Sequence, residues 1–335
     1  MNRVLLIMTA ALLAGRCLAA DATLKIVTTT ADLAAIARAV AGEDAEVRAI
    51  CNGTEDPHFL QAKPGYILMA RNANLWIRIG LELEIGWEKP ILDGSRNGLI
   101  RPGSPGHLDA SANVLKREIP AERVTRDMGD VHPSGNPHYW LDPWNGRVVA
   151  GDIAERLAVL FPDKAALFRG NAQRFQAALD ERMFGAGLVK EIGADTLWKA
   201  SLDGTLARFL ADSGKAGSLG GWLGALKPLN GAKVVTYHRS WLYFANRFGL
   251  DILAEIEPKP GVPPTAAHLS ELAASMKAAR AGLILQEPFF SRKAADRLAG
   301  QTGAKVVVTA NSVGGEEAAS DYLALFDLIV KRLQP

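Results

Sequence analysis

The residues best equipped for chemistry in this chain are six histidines: His58, His107, His132, His138, His238 and His268. Three of them share a setting. His58 lies in Glu55-Asp56-Pro57-His58-Phe59. His138 lies in Asn136-Pro137-His138-Tyr139-Trp140-Leu141-Asp142-Pro143. His238 directly follows an apolar run, Lys233 to Tyr237. Each proline forces the residue before it to be extended, so Asp56 and Asn136 stay out of helices. That holds His58 and His138 on stiff backbone, which suits a metal site because less ordering is needed on binding. Imidazole is a favoured zinc ligand, and three of them with one oxygen donor make a tetrahedral site. Spread over 180 residues, however, the three form no local zinc motif. Spacing alone therefore leaves each of them open as a surface or packed histidine.

The elements around these histidines read as alternating strands and helices. Leu24 to Thr29 is a β-branched run and predicts a strand, followed by a helix over Ala31 to Val40 that starts near Thr30. Val47 to Ile50 and Leu75 to Ile79 predict strands, and Pro64 to Arg71 a helix with proline in its first turn. Leu81 to Trp87 reads as helical, residues 93–112 as loop, and Val114 to Ile119 as a weaker strand. Helical pattern runs from Trp144 to Phe184, divided at Pro162. In its second part Phe168, Ala172, Phe175, Leu179 and Met183 recur at three- and four-residue steps. This long helix is either a connector between two blocks or an ordinary packed helix. Residues 185–231 are Gly-rich and weakly patterned. The second block has strands at Lys233 to Tyr237, Leu250 to Glu257, Leu283 to Gln286 and Lys305 to Thr309. Its helices span Trp241 to Phe248, Thr265 to Ala279, Ser291 to Gln301 and Ala318 to Leu333, with Thr265 and Ser291 as caps. Such alternation predicts an α/β fold with parallel sheets flanked by helices. Ligands then bind beyond the carboxyl ends of the strands.

The chain has 335 residues with 48% hydrophobic and 22% charged, an ordinary globular composition that excludes collagen-like, disordered and disulfide-scaffold classes. At about 150 residues per domain the length suggests two domains. Residues 1–20 read as a signal peptide: Arg3, an apolar stretch from Val4 to Ala14, and small residues for cleavage after Ala19 or Ala20. The apolar run is too short for a membrane anchor. Removing the leader takes away Arg3 and Arg16 and leaves 36 basic against 36 acidic residues. That balance provides no chain-wide basic field for nucleic acid. It also leaves Cys51 as the one cysteine, without an internal disulfide partner. The leader predicts an exported protein.

Four stretches carry a family resemblance. They are Gly53-Thr54-Glu55-Asp56-Pro57-His58 with Pro64, Asn136 through Pro143, Thr236-Tyr237-His238-Arg239-Ser240-Trp241-Leu242-Tyr243-Phe244, and Glu257-Pro258 through His268-Leu269 with Gln286-Glu287-Pro288. In these the chain resembles the periplasmic substrate-binding proteins of zinc/manganese ABC transporters, over roughly residues 24–333. The resemblance implies two α/β lobes joined by a long rigid helix, with one metal in the cleft between them. The lobes would be residues 21–160 and 187–335, and the linker helix 161–186. By position, His58, His138 and His238 would be the nitrogen ligands. The family commonly has an Asp after the last strand of the second lobe. Here that stretch is Val308-Thr309-Ala310-Asn311-Ser312, without a carboxylate. Glu287, after the neighbouring strand, is therefore the expected oxygen ligand, with Asn311 or water as alternatives.

The ligand set favours Zn²⁺ over Mn²⁺, which takes more oxygen donors. The expected function is high-affinity periplasmic binding of Zn²⁺ and its delivery to an ABC transporter permease in the inner membrane. A periplasmic metallochaperone is a further partner, and the protein is expected to be a monomer. Manganese or iron binding by the same transporter class is one alternative, and an exported zinc hydrolase with Glu287 as base another. No HExxH helix, GxSxG elbow or phosphate loop occurs, so an enzyme is not expected. An exported adhesin or siderophore binder is a third class. His132 reads as an exposed loop residue, an extra ligand or a first point of metal capture; His107 and His268 read as solvated. Tyr139, Trp140, Trp241 and Tyr243 would wall the cleft or pack the core. Asp142 would orient a ligand imidazole or cap a helix. The 187–230 segment is either a flap over the site or decoration of the second lobe.

Overall fold

The computed structural model describes residues 23–125, 128–129 and 131–334. The expected signal peptide lies outside them. In the first half, β1 (Leu24–Thr30), α1 (Ala31–Ala41), β2 (Ala45–Cys51), α2 (Pro64–Arg71), β3 (Leu75–Arg78), α3 (Glu88–Ser95) and β4 (His107–Asp109) follow in order. The strands make one parallel sheet in the order β2-β1-β3-β4. Thr30 starts α1 by accepting the Leu33 N–H, the usual work of a hydroxyl at a helix N-terminus.

Two long helices come next, α4 (Pro143–Leu160) and α5 (Ala165–Phe184), broken between Phe161 and Lys164 by Pro162. Asp142 caps α4 and Pro143 fills its first position. Both helices pack on α1 and on each other. Their buried faces, including Val149, Ile153, Leu157, Phe168, Leu179 and Phe184, belong to one apolar cluster that also takes in Leu75, Ile77, Val234 and Leu285 from the two sheets. Burying this continuous apolar stripe is what fixes the helices against both blocks.

Four short helices follow: α6 (Ala186–Ile192), α7 (Ala194–Leu202), α8 (Leu206–Asp212) and α9 (Gly221–Leu226). The second block runs β5 (Lys233–Thr236), α10 (Leu242–Phe248), β6 (Asp251–Glu255), α11 (Ala266–Ala279), β7 (Leu283–Gln286), α12 (Lys293–Thr302), β8 (Lys305–Val308) and α13 (Tyr322–Leu333). Its sheet is again parallel, ordered β6-β5-β7-β8. The fold is thus α/β with two parallel four-stranded sheets flanked by helices. Among the described residues no helix is long and apolar enough to cross a membrane.

Several local expectations are corrected. Residues 81–87 are turns rather than helix. Gly80, Leu81 and Glu82 all have positive φ (79°, 52° and 67°), and the Glu84 carboxylate takes the Ile79 and Gly80 N–H groups at 2.7 and 3.1 Å. Three successive left-handed residues cannot continue a right-handed helix. Residues 114–119 form no strand. Their backbone is satisfied by side chains: Leu115 N–H donates to Asn145 Oδ1 and Arg117 N–H to the Tyr243 hydroxyl. The 93–112 stretch contains the end of α3 and all of β4, so it is not simply loop. The 185–231 segment is mostly helical. Helix α12 starts at Lys293, after Ser291, and α13 at Tyr322, where Asp321 rather than an earlier residue caps it.

The loops at the carboxyl ends of the two sheets meet. Asp32, at the start of α1, accepts the Ser312 hydroxyl and the Val313 N–H (2.9 Å). Gly53 lies so close to residues 313–315 that a Cβ there would collide with the Val313 carbonyl and the Gly315 nitrogen. The first histidine loop is therefore pinned against the second block.

Candidate metal centre

His58 and His138 are held by the same local device. In each, the side chain two residues before the histidine, across a proline, folds back onto it. Asp56 Oδ1 accepts the His58 backbone N–H at 3.0 Å and its ring Nδ1–H at 2.7 Å. Asn136 Oδ1 does the same for His138 at 3.0 and 2.8 Å. His58 lies inside a short 3₁₀ turn, Pro57–Phe59, and His138 directly precedes one, Tyr139–Leu141. Neighbouring elements brace both loops: Trp87 Nε1 donates to the Pro57 carbonyl, and the Tyr139 hydroxyl to the Ile79 carbonyl, each at 2.9 Å.

His238 sits just beyond the carboxyl end of β5 in extended backbone. Its Nδ1–H meets Glu257 Oε2 at 2.7 Å. Glu257 lies just past the end of the adjacent strand β6 and also accepts the Gly261 N–H. All three imidazoles thus spend Nδ1 on an oxygen acceptor. This is the arrangement by which metal-binding histidines fix their tautomer and present Nε2.

The three rings converge. Their centroids stand 5.1, 5.3 and 5.5 Å apart, and one nitrogen of each lies within 4.8 Å of the other two. A zinc ion with nitrogens at about 2.0–2.1 Å sets tetrahedrally arranged imidazole centroids about 5 Å apart. A cavity of about 250 Å³, lined by Met128, Val131, His132, His138, His238 and Arg239 among others, opens onto the group.

Electrostatics separates the rings. Burial, with His58, His238 and His132 as neighbours, pushes the His138 imidazole well below its ordinary range. Burial works against a charge on His238 too, but the Glu257 carboxylate, with Glu287 and Asp56 further off, outweighs it and raises that ring. Asp56 is held below the ordinary carboxylate value; its burial opposes this and the His58 ring overrides it.

His132 lies next to the group and is not the exposed loop residue of one expectation. It is half-buried, its ring centroid is 5.4 Å from that of His58, and burial together with His58 and His238 pushes it down to about 4. Glu287 is completely buried but lies outside the three-histidine group. Oε1 accepts the Ser240 hydroxyl, and burial raises the carboxyl to about 7 against the lowering effect of His238. Asn311 has a buried Oδ1 without a hydrogen-bond partner among the described residues, while its carbonyl accepts Trp140 Nε1–H at 2.8 Å.

Other assignments are decided by the geometry. Asp142 caps α4 and forms a buried two-pronged ion pair with Arg247 at 2.7 and 2.8 Å, so it orients no ligand ring. His107 is not solvated: it lies on β4, buried, with Nε2 3.6 Å from Glu88. His268 is half-buried in the first turn of α11, where Thr265 takes its backbone N–H. Tyr139, Trp140, Trp241 and Tyr243 are all buried in the main core, although the Trp140 ring also lies 5.2 Å from His138. The residues that sequence reasoning missed are the orienting acceptors Asp56, Asn136 and Glu257. For the first two a signal was present in the repeated Asx-Pro-His spelling.

Known proteins resemble this chain throughout. The high-affinity zinc uptake system protein ZnuA of Brucella abortus is 28% identical over 156 residues, 47% of this chain and 36% of its own length. The zinc-binding protein AdcA of Streptococcus pyogenes serotype M6 is 22% identical over 91% of this chain and 54% of its own length. The chain therefore spans between about a third and about half of these curated relatives. A crystal structure of ZnuA shares the fold with a TM-score of 0.65 at 21% identity, covering 92% of this chain and 98% of that one. A manganese-bound periplasmic metal-binding protein from Candidatus Liberibacter asiaticus also has a TM-score of 0.65, at 16% identity and 92% and 97% coverage. The family model for the periplasmic component A of the zinc-uptake complex, ZnuA, matches residues 26–183 and 223–334, and the chain belongs to that family.

Proposed function

We propose that this protein binds one Zn²⁺ ion between its two sheets, in the periplasm, and delivers it to the permease of an ABC transporter for import. The observation that carries this is the convergence of three imidazoles, each with Nδ1 already committed to an oxygen acceptor. Three neutral nitrogens prefer zinc to manganese. The lobes are residues 21–160 and 187–335, with 161–186 joining them, and residues 1–20 are the leader, cleaved after Ala19 or Ala20. A metallochaperone that loads the site and a monomeric state complete the reading.

His58, His138 and His238 are the proposed nitrogen ligands. Two side chains stand beside the remaining coordination position. Glu287, the expected oxygen donor, interacts with His238 and has an Oε2 without a hydrogen bond of ordinary geometry. His132 packs against His58.

The role is binding rather than catalysis, since the family is one of uptake components. Titration of metal-free protein with Zn²⁺ against a competing chelator tests the reading. One tightly held ion per chain is expected, and a His58→Ala variant with wild-type affinity would sink the ligand assignment.

A further inference from the structure

The loop histidine His132 repeats the arrangement of the three converging rings. The Leu81 backbone accepts a hydrogen bond from its imidazole, and its Nε2 is buried without a partner among the described residues. It lines the same cavity as His138 and His238, and its ring lies as close to His58 as the other two do. The turn that offers the Leu81 carbonyl is the left-handed one at Gly80–Glu82, held by Glu84. Non-glycine residues in that conformation carry a cost that tends to persist at ligand sites. Four histidines therefore have one ring nitrogen tied to an oxygen, although only three yet have their free nitrogens within mutual reach.

Charge favours a neutral fourth donor. The Asp56 and Glu257 carboxylates already touch the rings of His58 and His238. Together they carry two negative charges, each separated from the proposed cation by one imidazole ring. Glu287 would add a third negative charge and would have to leave the Ser240 hydroxyl. Asn311 offers only an amide oxygen.

We propose that His132 supplies a fourth nitrogen to the bound metal, turning in from its loop beside His58, while Glu287 stays with Ser240 as a structural carboxyl. This rests on the three-histidine reading above. His132 sits on neither helix nor strand, so side-chain rotation moves no element of the fold.

The test uses Co²⁺ as a spectroscopic probe and Zn²⁺ for affinity. In the Co²⁺-loaded protein, His132→Cys is expected to add a thiolate-to-cobalt charge-transfer band in the near ultraviolet. The wild type lacks it, because its Cys51 thiol lies outside the three-histidine group. His132→Gln should weaken Zn²⁺ binding by more than about 100-fold, beyond the range for losing an outer hydrogen-bond partner. Glu287→Gln should leave affinity within about tenfold, below that range. A Co²⁺-loaded His132→Cys protein without the band, or a His132→Gln protein with wild-type affinity, overturns the fourth-ligand assignment and leaves the three-histidine site standing. A wild type that retains neither metal overturns both.

Discussion

The two halves of the site are built by different means. In the first half, His58 and His138 each carry their own orienting oxygen, two residues back across a proline. In the second, His238 borrows its oxygen from Glu257, nineteen residues on and just past the end of the neighbouring strand β6. A local device is set once the loop backbone is formed. A borrowed one depends on the β5–β6 pairing and on the Gly261 turn that also holds Glu257. The same imidazole chemistry is thus pre-organised by sequence neighbours on one side and by tertiary structure on the other.

The largest effect should come from removing a ligand on either side. His238→Ala and His58→Ala are each expected to lower Zn²⁺ affinity by more than about 100-fold, measured by chelator competition. A difference between them of more than about tenfold would mean that one half of the site dominates. Next come the orienting residues, where the two devices should separate. Glu257→Ala frees the His238 ring and should cost about 10–100-fold. Asp56→Asn only converts the first loop to the spelling that already works at Asn136, so about tenfold or less is expected. Equal losses would break the comparison.

The smallest effect is a shift in pH dependence. Ligand imidazoles must be deprotonated, so zinc binding weakens as pH falls. His138 is pushed down by burial and competes little for protons. His238 is raised, because Glu257 outweighs burial, so a proton displaces metal there at higher pH than at an ordinary histidine. Glu257→Gln removes the charge and should move the onset of zinc loss to lower pH, read from affinities across the histidine range. An onset that moves upward would contradict the assigned cause.

Much of this arrangement is legible in the residues. Strand β7 at Leu283–Gln286 and helix α2 at Pro64–Arg71 fall where a short apolar run and a first-turn proline place them. Stiff Asx-Pro-His loops mark two candidate ligands, and a strand leading into His238 a third. The illegible parts depend on contacts distant in sequence. Leu81–Trp87 has helical composition, but Glu84 holds the Ile79 and Gly80 amides in a left-handed turn. Val114–Ile119 has strand composition, but Asn145 and Tyr243 take its backbone groups. His107 looks solvated in a Gly/Pro loop until pairing with β3 buries it beside Glu88. No local pattern tells His132 from a surface histidine, because its neighbours His58 and Leu81 come from loops far away in the chain.

X-ray absorption at the zinc edge of the loaded protein tests the central claim most directly. A first shell dominated by nitrogen at about 2.0–2.1 Å, with the multiple scattering of at least three imidazoles, is the predicted result. A shell of six oxygens, as around a hydrated ion, or one with fewer than three imidazoles, would contradict it.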